Sequence, residues 1–314
     1  MRSAVYVERV IVVCGEALVD LVIDRSGSLV ATLGGGPFNT ARTIGRLGCP
    51  VQFLGVLARD RFGSMMHRRL LADGVDDALV EFTDLPTTLA AAELDDSGSA
   101  SYHFYFAETA SPSLTTARVP ADLTLLHIGT LGIVLEPMAS TLERLVEQVS
   151  DDVLVMLDPN CRPRVIADRT AYVQRLSTMV RRADVVKVST DDLDFLSPGQ
   201  PDAGVDLLLR AGASVVLHTA GGDAVRVCTG GERIVVPVPS VAVNDTIGAG
   251  DAFGGAFAAW WTLAGLGRHD LRDRDAVVAA AAAAAEVAAI NCTSVGAEPP
   301  WAAELGDRWR PGEV

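Results

Sequence analysis

Lysine is almost absent from this chain: Lys187 is the single lysine among 26 basic residues, and the rest are arginine. A phosphate loop of the Walker A kind needs a lysine followed by serine or threonine after its last glycine, so that loop is excluded throughout. Paired cysteines are missing too. Cys14, Cys49, Cys161, Cys228 and Cys292 are odd in number and scattered, with no C-x-x-C pair, which supports neither a disulfide framework nor a zinc site. Long apolar runs are lacking. "VIVVC" is too short for the core of a signal peptide, and "AVVAAAAAAAEVAAI", from Ala276, is interrupted by Glu286 and falls short of the ~20 residues of a membrane span. Positive charge is in deficit: the net charge is −14, which argues against a nucleic-acid surface. A local field can still bind a phosphorylated ligand. The expectation from these absences is a reduced, soluble, cytoplasmic protein with neither nucleic acid nor membrane as partner.

What is present is an ordinary globular composition, 49% apolar over 314 residues, long enough for one large α/β domain. Strand-like and helical stretches alternate. Strands are expected at "VIVVC" (Val10 to Cys14), Val51 to Gly55, "LLHIG", "VLVMLD", "DVVKV" and "SVVLHT". Helices are expected from Asn39 to Leu47, Arg61 to Ala72, Arg169 to Arg182, Asp251 to Leu263 and Asp275 to Ile290. Such alternation predicts a doubly wound, mostly parallel sheet flanked by helices. Two stretches depart from it. Glu16 to Leu33 reads as a half-exposed hairpin, and Thr87 to Phe106 as two strands joined by the polar turn "DDSGSA". Residues 1–314 are therefore taken as one domain, with a small β lid built from about 16–35 and 85–108.

The densest chemistry lies in "NDTIGAGDAFGGAF", Asn244 to Phe257. Gly248, Ala249 and Gly250 precede an apolar helix, so their backbone N–H groups and the helix dipole favour an anion. Asp251 is either the N-cap of a structural helix or a carboxylate with a chemical task. Gly248, Gly250 and Gly254 fall one step from a dinucleotide fingerprint. That motif needs a strand after its helix, whereas "GRHDLRDRD" and an alanine-rich helix follow here. A carboxylate beside an anion site suits a general base that takes a proton from a hydroxyl attacking a terminal phosphate.

With these residues in view, the chain resembles the ribokinase-like (PfkB) carbohydrate kinases. "DTIGAGD" (Asp245 to Asp251) is similar to their C-terminal signature, and "GGGPFNTARTIGRLG" (Gly34 to Gly48) to their N-terminal one. "GEALVD" (Gly15 to Asp20) and "ARDRFG" (Ala58 to Gly63) resemble intermediate family segments. "DPNCRP" (Asp158 to Pro163) resembles a segment of fructokinases and 2-keto-3-deoxygluconate kinases. The likeness runs from about Val10 to Pro299. It implies Asp251 as catalytic base and Gly248, Ala249 and Gly250 as the anion hole for the γ-phosphate. It also implies Asp20, Gly34, Gly35 and Asn39 as sugar contacts, with Ser189, Thr219 and Gly221 near the nucleotide. Asp245 and the Ile247 carbonyl match positions that hold a monovalent cation, K+, in many relatives. Arg162 reaches phosphate or acceptor, or else forms a surface salt bridge.

Departures from the family pattern sharpen these expectations. The N-x-x-E segment that organises Mg2+ through water appears as Ser189, Thr190, Asp191 and Asp192, so Asp192 carries the carboxylate. In the lid, Tyr102, Phe104 and Phe106 share one face and cover either a sugar or a dimer partner, or form lid core. An arginine usual there is replaced among Phe106, Ala107 and Glu108, which disfavours an acidic sugar. The resemblance thus implies an ATP- and Mg2+-dependent kinase. Fructose is the first acceptor, ribose the second and ketodeoxygluconate the third, with a nucleoside behind them. A homodimer through the lid is a family-based expectation. Two other classes stay open: an NAD(P)-dependent oxidoreductase and a catalytically silent sugar-binding protein. His103, His127 and His218 lie in strand-like runs without metal-ligand spacing and are read as core or lid residues.

Overall fold

The structure is a computed structural model that describes residues 9–23, 27–94 and 100–311, with side chains of 92–94 and 100–102 outside the description. The chain opens with β1 (Val10–Cys14), β2 (Leu18–Ile23), β3 (Leu29–Gly34), α1 (Gly36–Arg46), β4 (Val51–Ala58), α2 (Arg61–Ala72) and β5 (Val80–Thr83). After β6 (Leu89–Leu94) and β7 (Ala100–Tyr105) come β8 (Leu123–Gly129), α3 (Met138–Gln148), β9 (Leu154–Asp158), α4 (Arg169–Val180) and β10 (Val185–Ser189). The last third holds α5 (Thr190–Leu196), α6 (Pro201–Ala211), β11 (Val215–Thr219), β12 (Ala224–Cys228) and β13 (Arg233–Pro237). It ends with α7 (Ala249–Leu263), α8 (Arg274–Asn291) and α9 (Ala302–Leu305).

The main sheet runs β13-β12-β11-β10-β9-β8-β1-β4-β5. Its strands from β11 to β5 are parallel, and β12 and β13 return antiparallel at one edge. Alternation along β1 explains the two cores: Ile11 and Val13 feed the layer with α1, α7 and α8, whereas Val12 and Cys14 feed the layer with α3 and α4. From β1 the chain first moves outward through β4 to β5, then reverses through β8 to β11. That reversal opens a crevice beyond the ends of β1 and β8, where open α/β sheets bind ligands. A second sheet, β3-β2-β6-β7, stands apart as the expected lid. Most of the polar turn expected at "DDSGSA" lies outside the described residues.

The sequence reading left β5, α3, α5, α6, β12 and β13 without an expectation, and three boundary differences sit at glycines. Helix α1 begins at Gly36 rather than Asn39, because Gly35 takes φ 109° and Pro37 occupies the first turn. Strand β4 continues past Gly55, which is no stop. A Cβ there would come within 2.7 Å of the Gly15 carbonyl, so the glycine allows close backbone approach. Helix α7 begins at Ala249 and is buried from Asp251 to Thr262, as a helix apolar all round must be. Its small residues serve helix packing: a Cβ on Gly255 would lie 2.8 Å from the Thr40 carbonyl oxygen and 2.8 Å from Thr43 Cβ. The alanine-rich α8 packs against the same helix through buried Ala280, Ala281 and Ala284.

Gly255→Val should therefore overpack the α1–α7 contact and destabilise the fold by about 1–3 kcal/mol. Urea unfolding checks this, and an unchanged midpoint would show that the helices separate freely.

Candidate active site

Four backbone segments meet beyond the strand ends. The exit of β1 is held against α1, where a Cβ on Gly15 would lie 2.5 Å from Pro37 Cγ. Glu16 follows, fully buried, and its Oε1 accepts a bond from the Gly36 N–H at 3.2 Å. Asp20 on β2 leans over the end of β3, so a Cβ on Gly34 would meet Asp20 Oδ2 at 2.3 Å. Gly36 in turn faces Thr130 and Asp251: a Cβ there would lie 2.5 Å from Thr130 Oγ1 and 3.3 Å from Asp251 Oδ1. The Gly34–Gly36 turn is thus bare because side chains crowd it from several directions.

Asp251 is not an N-cap. Gly248 holds that position with φ 73° and no side-chain cap bond, which puts Asp251 inside the first turn. Its carboxylate is buried, and Asn39 Nδ2 donates to its Oδ2 at 3.0 Å. Burial raises the Asp251 pKa, while the Asn39 bond and the charges of Lys187 and Arg162 pull it back. The N–H of Ala249 donates to the Thr246 carbonyl at 3.2 Å. The N–H groups of Gly250 and Asp251 remain as first-turn donors without intrahelical acceptors.

Lys187 is the residue that the sequence reading missed. Its ammonium is buried, donates to Asp158 Oδ2 at 3.0 Å, and lies 2.8 Å from where a Cβ on Gly250 would stand. Burial alone would lower its pKa, but Asp158, Asp192 and Asp251 outweigh that and raise it. The signal was available: a chain that replaces lysine by arginine elsewhere keeps one lysine inside an apolar strand. Asp158 is pushed up to about 6 by burial, against the pull of Lys187, and its Oδ1 is buried without a partner.

Thr130 and Asn160 were also missed. Both are non-glycine residues at positive φ, 53° and 38°, a strained region that clusters at functional sites. Asn160 Nδ2 donates to Thr130 Oγ1 at 3.3 Å, and Arg162 Nη1 donates to Asn160 Oδ1 at 2.6 Å. Arg162 forms no ion pair with a described residue. Its charge instead lowers the pKa of Glu16, Asp20 and Asp251, so the guanidinium belongs to this cluster.

Ser189 and Thr219 stand side by side at the ends of β10 and β11, with Gly221 exposed in the following turn at φ 56°. The Ser189 hydroxyl caps α5, and Asp192 answers it in a capping box. Asp192 Oδ2 accepts from the Ser189 N–H and hydroxyl, and its Oδ1 from the Cys161 N–H. Asp192, the carboxylate expected to organise magnesium through water, thus also ties the start of α5 to the Cys161 loop. Asp245 Oδ1 accepts from the Ile247 N–H at 3.0 Å and its Oδ2 from the Gly296 N–H at 2.8 Å.

Phe104 is half-buried against the core layer that holds Leu18 and Ala90, and the side chain of Tyr102 lies outside the described residues. Phe106 and Glu108 line a separate cleft of about 840 Å³ against α3 and α4, together with Ile133, Val165 and Tyr172. Glu108 thus faces that cleft, which takes away the sequence-based argument from its charge. His127 is buried with both ring nitrogens unpartnered, and its pKa falls to about 3 through burial and then Lys187. It is a neutral core residue.

Residues 9–303 match the family described as pfkB family carbohydrate kinase. A fructokinase from Rhizobium leguminosarum bv. trifolii is 36% identical over 252 residues, 77% of each chain. Among solved structures, fructokinase with bound ATP from Xylella fastidiosa superposes with a TM-score of 0.84 at 27% identity, covering 92% of this chain and 93% of that one. A double mutant of fructokinase from Vibrio cholerae O395, in fructose, ADP and potassium ion bound form, gives 0.80 at 25% identity over 92% and 94%. The sheet order, the separate small sheet and these superpositions establish the ribokinase-like fold.

Burial raises Glu16 to about 8 in the folded chain, from about 4.5. The folded state then holds a proton that the unfolded state has lost, so this residue makes stability fall as pH rises from about 4.5 through about 8. Glu16→Gln keeps the acceptor for Gly36 and removes that titration. Urea midpoints of variant and wild type should agree below about pH 4, with the variant the more stable above pH 8. Parallel curves would show that Glu16 is not buried as a neutral acid.

Proposed function

Because the chain belongs to the pfkB family of carbohydrate kinases, we propose that it transfers the terminal phosphate of ATP to a hydroxyl of a neutral ketose, fructose first. The observation that carries this reading is the placement of Asp251. It is a buried carboxylate in the first turn of α7, held by Asn39 and set beside the Lys187 ammonium. A base so fixed takes the proton of an attacking hydroxyl without reorganising.

The sugar lies between the strand ends and the lid, where Asp20, Asn39 and the bare Gly34–Gly35 turn offer directional hydrogen bonds at short range. Phe104 covers it from the lid, and closure keeps water from competing as acceptor. The N–H groups of Gly248, Gly250 and Asp251 meet the transferring phosphoryl group, and Lys187 adds the positive charge that a lysine-free turn lacks. Arg162 stands across from them and balances Asp20 and Asp251. Ser189, Thr219 and Gly221 border the nucleotide.

Among the described residues no cluster of three or more metal-ligating side chains exists, which fits magnesium arriving on the nucleotide and held through water by few carboxylates. Asp158, with its unpartnered buried oxygen, suits that role better than Asp192. The ion would supply charge neutralisation on the phosphates.

The preference for a neutral sugar is supported by the wall itself, since Glu16, Asp20 and Asp251 crowd it with carboxyl groups against the two cations Arg162 and Lys187. Ribose and other pentoses follow, then ketodeoxygluconate, then a nucleoside. Pairing of two copies through the lid is supported by Leu29 and Val30, which stand 63% and 61% exposed on β3. An oxidoreductase is disfavoured by the chain after α7, which runs through a short turn of helix into α8 with no intervening strand. A silent binding protein would have no use for a base fixed at a helix start.

Coupled ADP release over fructose, ribose, ketodeoxygluconate and a nucleoside tests the reading. Turnover should be highest with fructose and should fall about 10²–10⁴-fold in Asp251→Asn, with ATP binding retained. Near-wild-type turnover in that variant would remove Asp251 from the chemistry. In Lys187→Met the acid limb of the pH profile should move to higher pH, because loss of the ammonium raises Asp251 further.

A further inference from the structure

No step of the phosphoryl transfer uses Arg42, yet this arginine is only 2% exposed. A guanidinium is costly to bury unless its donors are satisfied, so the groups that hold it are informative. Arg42 follows Asn39 by three residues on α1 and precedes Arg46 by four, which puts all three side chains on one helical stripe. Its Nε donates to Asp73 Oδ2 at 2.6 Å, just past the end of α2, and its Nη2 to Glu298 Oε1 at 3.3 Å. Nη1 turns toward the site. It donates to the Ala297 carbonyl at 2.9 Å and makes a longer contact, 3.5 Å, with Asn39 Oδ1.

Both contacts of Nη1 lead to Asp251. Asn39 sets its oxygen toward the guanidinium and donates from Nδ2 to Asp251 Oδ2 at 3.0 Å. Turned over, the same amide would bring its NH2 group against a cation and its oxygen against a carboxylate, which is unfavourable at both ends. The other contact leads to the turn before α7. A Cβ on Gly248 would lie 2.5 Å from Ala297 Cβ, so the segment after α8 presses on that turn. The neighbouring Gly296 N–H donates to Asp245 Oδ2 at 2.8 Å and ties the same segment to the start of the loop.

Arg46 supplies the comparison. Its Nε donates to Asp73 Oδ1 at 2.9 Å, its Nη2 to Glu298 Oε2 at 2.7 Å and its Nη1 to the Pro299 carbonyl at 2.6 Å. Among the described residues it bonds neither Asn39 nor Ala297. The two arginines thus share one ion network, and only Arg42 extends it to the site.

We propose that Arg42 is a positioning residue that couples the two halves of the site: one guanidinium nitrogen fixes the Asn39 amide toward Asp251 and, through the Ala297 carbonyl, holds the segment that seats Gly248. For its effect on turnover the inference rests on the kinase reading above, whereas its effect on the turn does not.

The experiment compares Arg42→Met with Arg46→Met in the full chain. Both lose ties to Asp73 and Glu298, so both should lower the urea midpoint. Only Arg42→Met should lower kcat, about tenfold as for one charge-linked hydrogen bond, with KM for ATP unchanged. Added to Asn39→Ala, it should cost clearly less turnover than it does alone, because the two residues act on Asp251 through one path. Arg42→Lys, which keeps the charge and loses the fork, is the second variant should methionine fail to fold, and its kcat should fall as well. Equal kcat in the Arg42 and Arg46 variants, or full additivity with Asn39→Ala, would overturn the proposal. Hydrogen exchange reads the turn without any reaction. The Ala252 N–H donates to the Gly248 carbonyl at 2.8 Å, and its exchange should quicken in Arg42→Met but not in Arg46→Met, with the amides of β1 as the reference for global opening. If the wild type turns over no sugar, the kinase reading fails and this exchange alone decides, equal rates in the two variants removing Arg42 from the coupling.

Discussion

Helices α1 and α7 touch where Gly255 has no side chain, with Thr40 and Thr43 pressed against it. The contact is short because any Cβ would collide, and it fixes the distance between the two helix starts. That distance lets Asn39 reach Asp251 across 212 residues of sequence and lets Gly36 sit against the same carboxylate. Loosening the helix pair would uncouple the Gly34–Gly36 turn from the Gly248–Gly250 turn while leaving each intact.

Around this contact the site concentrates more buried acid than base. Glu16, Asp20, Asp158 and Asp251 all have raised pKa values, chiefly from burial. One ammonium and one guanidinium balance them. The arrangement is tolerable because the acids are graded: Glu16 is held neutral, Asp158 is paired with Lys187, and Asp251 is drawn back toward its ionised form by Asn39, Lys187 and Arg162. A base must be ionised to accept a proton yet not so stabilised that it refuses one. The mixture of burial and partial compensation meets both demands.

The main elements were legible because their periodicities are strong: apolar strands ending in glycine, and helices with clean faces. Asp251 could be singled out from the glycine-rich helix start, and Asp20, Asn39 and Gly34 through the family resemblance of their segments. Thr130 and Asn160 carry no such mark. Their role depends on a backbone conformation that only the surrounding chain imposes. Lys187 has no motif around it in the sequence, and its meaning arises from β10 lying under the start of α7. Asp192 carries two readings: the family resemblance implies a carboxylate for magnesium, and a carboxylate three residues after a serine also makes the capping box seen at the start of α5.

By itself the sequence determined the layered α/β class, the lid segments, the loss of the lysine phosphate loop and the identity of the carboxylate at the helix start. These follow from local composition and period, which act over a few residues. Only the tertiary structure decided which charges surround that carboxylate and which N–H groups remain free. Such questions depend on which donors reach which acceptors across distant strands and helices. The partners that meet here come from every part of the chain.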